Sequence, residues 1–380
     1  MYKSKLLIFS DWYEPGYKAG GPIRSIVNLV ACLKDSLDIY IVTTNQDFED
    51  PKPYPHIIPN VWTAVEKNIN VLYFSKEKLT FQNVKLTIKD VNPKTIYINS
   101  IWSLAFSLYP LLIERGMENK IFVLAPRGML HEGAMKYKKL KKVIYIFTLK
   151  QLNIFKKVRF QATDDQEYLD IKKWTGCKCI HTVSNFPCEI DKNVQSIDKI
   201  VKSLRLVFIS RISPKKNLLF LIQQLGLLLS SINVILDVFG PPEEVNYFIQ
   251  CKDMANRCGQ NISINFWKAI EFNLVKEKLY KSHFFILPTF GENFGHAIFE
   301  SFAAGRPVII SDQTPWRDLK AQKVGFDIPL NDPSAFVKAI EYAANMNQKE
   351  FDEWCDASLA YAKEFNDKSN LKEKYLRLFS

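Results

Sequence analysis

Two carboxylates stand at the beginning of an apolar helical pattern in the second half of the chain. Glu292 and Glu300 are separated by seven residues, and Asn293 is a good N-cap, which predicts a helix over 294–304 closed by Gly305. The N–H groups at the start of a helix bind phosphate, and carboxylates accept hydrogen bonds from the hydroxyl groups that sugars carry. The spacing therefore indicates a site for a phosphorylated sugar. The alternative is a capping carboxylate followed by a solvated helical glutamate.

A cluster of positive charge follows the strand pattern 205–210. Arg211, Lys215 and Lys216 surround the expected start of a helix at Pro214. The first turn of a helix ordinarily favours acidic residues, so three cations are tolerable there when an anion binds beside them. The loop thus predicts a second phosphate contact. An ordinary basic surface turn is the alternative.

Glycines also follow the first predicted strand. Gly20 and Gly21 precede Pro22, a combination typical of a turn that leads into a helix. The segment lacks the G-x-G-x-x-G pattern of dehydrogenases and the G-x-x-x-x-G-K-[ST] pattern of P-loop enzymes. The absence of both patterns argues against both of these nucleotide-binding classes.

The elements that must position these loops alternate along the chain. Short apolar strand patterns are separated by helical patterns, as in parallel sheets that are covered on both faces. The helices nearest the candidate site residues are predicted over 22–33, 102–115, 139–155, 214–231 and 294–304. We predict an α/β protein with two doubly wound, Rossmann-like domains facing each other across a cleft, because such sheets bind ligands at the carboxyl ends of their strands.

The strand pattern restarts at residue 205 after a polar stretch, and this restart sets the domain boundaries. We expect an N-terminal domain over 1–188, a linker over 189–204 and a C-terminal domain over 205–362. Residues 363–380 are expected to form a helix that packs back on the N-terminal domain.

Composition restricts the class of protein further. The 380 residues are 47% hydrophobic and 24% charged, which is ordinary for a globular chain of two or three domains. No stretch approaches the roughly 20 apolar residues of a membrane span, and the short apolar run near the N-terminus does not resemble a signal peptide, so we expect a cytoplasmic protein. The spacing of Cys177, Cys179 and Cys188 matches no common zinc pattern, so we expect reduced thiols, with a metal site as the alternative.

Much of the net charge of +11 lies in one segment, because residues 136–159 hold nine lysines and arginines and no acidic residue. Apolar residues are interleaved with these cations: Tyr137, Tyr145, Ile146, Phe147 and Phe155. Such a helix can lie on an anionic membrane, here the inner face of the cytoplasmic membrane. The alternative is a solvated basic helix with one face in the core. No nucleic-acid-binding module is recognisable, which argues against nucleic acid as a partner.

Taken together, these motifs resemble the retaining glycosyltransferases of family 4, also called group 1, which have the GT-B fold. The two glutamates separated by seven residues are the hallmark of that family. The Arg-x-x-x-Lys-Lys-Asn turn at 211–217 and the Ala-x-Gly-x-Pro-Val sequence at 303–308 match as well. Pro315-Trp316 and the segment 125–130 resemble bacterial polysaccharide members. The resemblance covers nearly the whole chain and is densest over 206–319.

The resemblance implies roles for the matching residues. Arg211 and Lys216 would neutralise the diphosphate of a nucleotide sugar, Glu292 would contact the transferred sugar, and Glu300 would hold the ribose hydroxyls. The positions where backbone would approach the donor are Gly20, Gly21, Gly240, Phe294, Gly295 and His296. The diphosphate is then stabilised by cations and N–H groups, and no metal or other cofactor is expected.

The chain departs from the family pattern on the acceptor side. Many members carry a histidine where this chain has Asn99, so Asn99, Arg127 and His131 are the acceptor-side candidates, with a plain surface histidine as the alternative for His131. The usual Phe-x-Gly sequence is replaced by Phe266-Trp267-Lys268. The sequence therefore does not indicate which nucleotide base and which sugar the donor carries.

The implied activity is that of a retaining hexosyltransferase. A UDP- or GDP-sugar would donate to a hydroxyl of a bacterial surface glycan, carried on polyprenyl diphosphate or on the lipid A core. The alternatives are a sugar-nucleotide epimerase of the same fold, and a catalytically inactive membrane-bound partner in glycan assembly.

Overall fold

The computed structural model describes residues 3–114, 117, 119–136, 138–190 and 193–380. Arg115, the predicted end of one helix, and Tyr137, one of the predicted membrane-facing aromatics, lie outside the described residues. The chain forms two compact units: Met1–Phe186 together with Asn370–Ser380, and Pro187–Ser369.

The strands of both units are short and mostly buried. In the first unit they are β1 (Ser4–Phe9), β2 (Leu37–Thr44), β3 (Trp62–Glu66), β4 (Ile69–Phe74), β5 (Thr95–Ile98), β6 (Ile121–Leu124), β7 (Val158–Ala162) and β8 (Ile180–Thr182). In the second they are β9 (Ser203–Ile209), β10 (Asn233–Phe239), β11 (Ile262–Trp267), β12 (Phe284–Leu287), β13 (Val308–Ser311) and β14 (Gly325–Ile328).

Helices connect most successive strands. They are α1 (Gly21–Leu33), α2 (Phe81–Val91), α3 (Tyr109–Glu114), α4 (Glu132–Lys136), α5 (Lys139–Gln151), α6 (Asp165–Thr175), α7 (Leu218–Leu225), α8 (Val245–Ala255), α9 (Phe272–Tyr280), α10 (His296–Ala303), α11 (Pro333–Asn345), α12 (Gln348–Ser369) and α13 (Leu371–Leu378). A π-helical turn, Leu104–Leu108, leads into α3, and 3₁₀ turns occupy Ile154–Lys156 and Pro214–Lys216.

Strand order identifies the architecture of each unit. The first sheet runs β3-β4-β2-β1-β5-β6-β7-β8, and its strands pair parallel except that β3 pairs antiparallel with β4. The second sheet runs β11-β10-β9-β12-β13-β14 with parallel pairing throughout. Both are doubly wound Rossmann-like sheets, as predicted. Their order reverses between β1 and β5 and between β9 and β12, and ligands of such sheets bind at the carboxyl ends of the strands at this switch point.

Helix α6 shows how local sequence fixes an element. The Asp164 side chain accepts a hydrogen bond from the Glu167 N–H at 2.8 Å, and Gly176 ends the helix at a φ of 69°. Asp165 and Glu167 add negative charge to the first turn, where the helix dipole favours it. The Asp164-Asp165 pair is thus a helix start rather than a D-x-D metal motif.

Several predicted helix boundaries are wrong because asparagines adopt the left-handed conformation. Asn217, at a φ of 60°, separates the turn at 214–216 from α7, which replaces the predicted helix 214–231. Asn153, at a φ of 55°, likewise follows α5 and ends the predicted helix 139–155 early. Asparagine tolerates positive φ better than most residues, so both helices are interrupted there.

The C-terminal boundary also differs from the prediction. Helix α12 continues to Ser369, beyond the predicted domain end at 362, and α13 belongs to the first unit. Tyr375 of α13 is 1% exposed, and its hydroxyl accepts a hydrogen bond from the Gln161 side chain at 2.7 Å. The second unit begins at Pro187, inside the region that the sequence assigned to the first domain.

Candidate donor site at the switch point of the second unit

The loops that follow β9 and β12 are joined by hydrogen bonds. The Phe290 N–H donates to the Lys215 carbonyl at 2.8 Å, and the Thr289 hydroxyl donates to the same carbonyl at 3.2 Å. The basic loop and the glutamate loop of the sequence are therefore neighbours at the switch point. This is the edge at which an open parallel sheet binds its ligand.

Lys216 and Glu292 form an ion pair across these loops. Their side chains are only 12% and 14% exposed, and Lys215 adds a second positive charge nearby. Burial alone would raise the pKa of Glu292, but the charges of Lys216 and Lys215 and the hydrogen bond from Lys216 outweigh it and lower that pKa. Glu292 is therefore ionised at neutral pH.

Arg211 forms a second ion pair, with Glu243 in the loop after β10. The sequence reasoning missed Glu243, because nothing in its spacing links it to a residue 32 positions away. The backbone explains the pairing: Ile212 N–H donates to the Pro241 carbonyl at 2.8 Å, and Glu243 N–H donates to the Ile212 carbonyl at 3.0 Å. The two loops thus continue the pairing of their strands.

Gly240 makes this close approach of the two loops possible. A Cβ atom at this position would lie 1.9 Å from the Ser210 carbonyl oxygen, and the φ of Gly240 is 154°. No other residue fits there without moving the backbone. The approach of its backbone to the donor remains a prediction.

Helix α10 begins two residues later than predicted. His296 is its first residue and Gly295, at a φ of 77°, precedes it, so Asn293 is not the N-cap. The Trp316 indole N–H donates to the Phe294 carbonyl at 2.6 Å and holds the preceding loop in place. The side chain of Phe294 is buried in the core, so only its backbone N–H is left as a candidate contact.

The C-terminal end of α10 agrees with the prediction. Gly305 has a φ of 63°, its N–H donates to the Phe302 carbonyl, and the Arg306 N–H donates to the Ser301 carbonyl. This pattern is a Schellman motif. Glu300 lies half-buried, one helical turn after His296 and on the same face of the helix.

The candidate residues of the first unit gather at its own switch point, apart from His131. Gly20, at a φ of 68°, precedes α1, and the Asn99 amide donates to the Pro22 carbonyl at 3.2 Å. Arg127 donates from Nε to the Asn99 side-chain oxygen at 2.7 Å. His131 is exposed where α4 begins, and Asn99 and Arg127 do not contact it in the described bonds.

Arg127 is held by several partners, which favours a positioning role. Besides Asn99, its guanidinium donates to the side chains of Asn185 and Tyr97. The network continues through Tyr97, whose hydroxyl donates to the Gln161 side chain at 2.6 Å. Arg127 therefore anchors the loop after β6 to the centre of the sheet.

Asp11 is a further residue at the first switch point that the sequence reasoning missed. It follows β1, and the hydroxyl groups of Ser103 and Ser100 donate to its carboxylate. Burial raises the pKa of Asp11 above its ordinary value, although these hydrogen bonds lower it. Only its position, two residues after an apolar strand, could have drawn attention to it.

The described cysteines are free thiols. Cys177 is buried and Cys179 is exposed, with the Cys179 sulfur 3.6 Å from His181 Nε2. Among the residues that the structure describes, no three His, Cys, Asp or Glu side chains group as a metal ion would require. Independence from metal stays a prediction.

Comparison with solved structures identifies the fold. The chain matches WaaG, a glycosyltransferase involved in lipopolysaccharide biosynthesis, at 14% identity with a TM-score of 0.68 and 99% of each chain covered. It matches Anabaena HepE in complex with UDP and glucose at 13% identity, with a TM-score of 0.71 and 99% of each chain covered. It matches sucrose-phosphate synthase from Thermosynechococcus elongatus at 14% identity, with a TM-score of 0.68 and 99% of each chain covered. The fold is therefore GT-B.

The sequence of the second unit is similar to a known family. Residues 189–355 match the family described as glycosyl transferases group 1. The comparison with curated proteins found no matching sequence. The match covers most of the second unit, and the chain as a whole is similar in fold to GT-B glycosyltransferases.

Proposed function

We propose that the protein is a retaining hexosyltransferase that uses a UDP- or GDP-sugar and extends a lipid-linked bacterial surface glycan. The observation that carries the donor site is the joining of the β9 and β12 loops, which brings Lys216 to Glu292 beside the start of α10. A cation, a carboxylate and a helix N-terminus are the groups that a sugar diphosphate needs.

The cations and the helix stabilise the leaving group in this proposal. The bond between the anomeric carbon and the phosphate oxygen breaks, and negative charge develops on the nucleoside diphosphate. The groups that stabilise that charge are already in place: Arg211, Lys216 and the N–H groups at the start of α10. They therefore need not reorganise during the reaction. The acceptor oxygen attacks from the same face, and its proton passes to the departing phosphate, so the configuration is retained.

Glu292 has the protonation state for binding sugar hydroxyls. Because its pKa is lowered, its oxygens accept hydrogen bonds and carry no proton to donate at neutral pH. We assign it to the transferred sugar and not to general acid catalysis. Glu300, half-buried on α10, is assigned to the ribose.

The lipid-linked acceptor is proposed on the surface of α5. Leu140, Ile144 and Phe147 are spaced along one face of the helix and are 74%, 55% and 59% exposed. Ile146 and Leu149 face the core on the other side. No helix of the described residues is long and apolar enough to span a bilayer. An apolar stripe among lysines is suited to lying on anionic lipid.

This stripe differs from the predicted one. Tyr145, Ile146 and Phe155 contribute to the core of the first unit, so of the predicted apolar residues only Phe147 lies on the exposed face within the described part. Lys142 donates to the Ala134 carbonyl at 2.6 Å rather than facing lipid. Lys139, Lys141 and Lys150 are among the cations that remain exposed.

Thermal unfolding with candidate donors tests the proposal. UDP, GDP, ADP and CMP, and their sugar conjugates, are added separately, and a ligand at 100 times its Kd adds about 2.7 kcal/mol. We expect UDP or GDP to raise the transition temperature and Glu300→Ala to abolish the effect. Stabilisation by none of them would contradict the donor site. Turnover of the donor without acceptor, giving an epimerised nucleotide sugar, would instead identify an epimerase.

A further inference from the structure

Five charged side chains form one cluster at the switch point of the second unit. Lys215 has Glu292, Lys216, Arg211 and Glu243 as its electrostatic neighbours. Counting Lys215, the cluster contains three cations and two carboxylates, so it carries a net charge of about +1 at neutral pH. Each carboxylate therefore removes part of the attraction that a diphosphate would feel.

The two carboxylates differ in how firmly they are held. In the pair of Lys216 and Glu292 the side chains are 12% and 14% exposed, whereas those of Arg211 and Glu243 are 33% and 25% exposed. Solvent screens the second pair more strongly, so it opens at lower cost. Glu292 also has an assigned role on the transferred sugar, and Glu243 has none.

The backbone holds Glu243 next to Arg211, so their ion pair does not depend only on the reach of two long side chains. Its N–H donates to the carbonyl of Ile212, the residue next to Arg211. Gly240 brings the two loops into contact three residues earlier. The hydrogen-bonded backbone of the two loops therefore holds the carboxylate beside the guanidinium.

We propose that Glu243 competes with the donor diphosphate for the Arg211 guanidinium. The inference rests on the proposed function, which assigns Arg211 to the diphosphate. The carboxylate orients the guanidinium and yields it to the diphosphate when the nucleotide binds. When the nucleoside diphosphate leaves, Glu243 takes the guanidinium back and speeds release. Glu243 is a positioning residue in this scheme, since it touches Arg211 and not the substrate.

Titration calorimetry with UDP and with GDP at low salt tests the competition. Relative to the unaltered protein, we expect Glu243→Gln to bind the preferred diphosphate about threefold to tenfold more tightly, mainly through slower dissociation. Glu244→Gln is the matched control, because it removes the same charge from the adjacent exposed residue. It should leave the affinity nearly unchanged.

A double-mutant cycle assigns the effect to Arg211. Arg211→Gln should weaken binding, and adding Glu243→Gln to it should give no further gain. Equal tightening by Glu243→Gln and Glu244→Gln, or no tightening by Glu243→Gln, would overturn the competition while leaving the donor site intact. Unchanged affinity in Arg211→Gln would instead overturn the assignment of the diphosphate to Arg211, and the competition with it.

Discussion

Asp11 illustrates a carboxylate whose placement costs stability. Burial raises its pKa, so the folded protein binds the proton more tightly than the unfolded chain does, and stability is lost as the pH rises through that pKa. Such residues are more often retained for binding than for folding. Asp11 lies beside Ser100 and Ser103 at the first switch point, where hydroxyl-bearing ligands would meet it.

We therefore expect Asp11→Asn to raise the free energy of unfolding by about 1 kcal/mol at pH 7, and by progressively less as the pH falls through the raised pKa towards the ordinary pKa of aspartate. Urea unfolding at pH 7 and in mild acid measures the difference. Asp35→Asn, at an exposed position, should change little at either pH. A loss of stability in Asp11→Asn at pH 7 would mean that the serine hydrogen bonds outweigh burial.

Residue types were predictable at the donor site, and their pairing was not. The sequence placed Arg211, Lys216 and Glu292 in loops after strands, since strand ends and glycine turns leave clear patterns. Which carboxylate meets which cation depends on strand order, because β10 and β12 both flank β9. Glu243 therefore emerged only from the structure.

At the scale of elements, Trp316 fixes the loop before α10. Its indole is 4% exposed, donates to the Phe294 carbonyl and leaves little room beside Gly295, where a Cβ would lie 3.4 Å from Nε1. The sequence marked Pro315-Trp316 only as a family resemblance. In the structure, Trp316 positions the first N–H groups of α10.

Trp316→Phe should keep the aromatic packing and lose the hydrogen bond. We expect the affinity for the preferred nucleoside diphosphate to fall about fivefold, in line with one lost hydrogen bond of about 1 kcal/mol, measured by titration calorimetry. Trp354→Phe is the control, since Trp354 is equally buried but packs against Phe284 and Phe326 instead. Equal losses in both variants would indicate general loosening of the unit.

Helix α5 gives the corresponding prediction for the membrane. Replacing Ile144 and Phe147 by serine should reduce binding to anionic vesicles at least tenfold in a flotation assay, because two exposed apolar side chains no longer enter the lipid. Leu227 and Leu229, which are 67% and 63% exposed in the second unit, supply the matched serine variant. Binding should also weaken as salt rises, and flat salt dependence would contradict the role of the lysines.

Elements with strong local signals were predicted, and weak ones were missed. Gly305 ended α10 where expected, because a left-handed glycine leaves an unmistakable pattern. Strand β3 was missed because four of its five residues are exposed and its sequence lacks alternation. Helix α2 was also missed, although the Thr80 hydroxyl caps it by accepting from the Asn83 N–H.

At the scale of the whole molecule, the first unit depends on the end of the chain. Leu371, Tyr375, Leu378 and Phe379 are buried in its core, and the Thr95 hydroxyl donates to the Phe379 carbonyl at 2.7 Å. Burial of each large apolar side chain contributes about 1.5–3 kcal/mol, so together they rival the whole stability of a domain.

Tyr375→Phe should cost the first unit about 1 kcal/mol, since the Gln161 amide loses a buried partner. Hydrogen exchange should accelerate in β5 and β7 and stay unchanged in the second unit. Tyr342→Phe, which removes an exposed hydroxyl bonded to Glu350, should alter neither unit measurably. Acceleration in both units alike would show that they unfold together.

The return of the chain has a consequence during synthesis on the ribosome. The first unit needs α13, yet the whole of Pro187–Ser369 is translated before it. At the usual elongation rate this interval lasts roughly 10 to 40 s, during which the second unit can fold on its own and the first cannot finish. The nascent sheet of the first unit then exposes apolar surface to chaperones until α13 has been synthesised and can cover it.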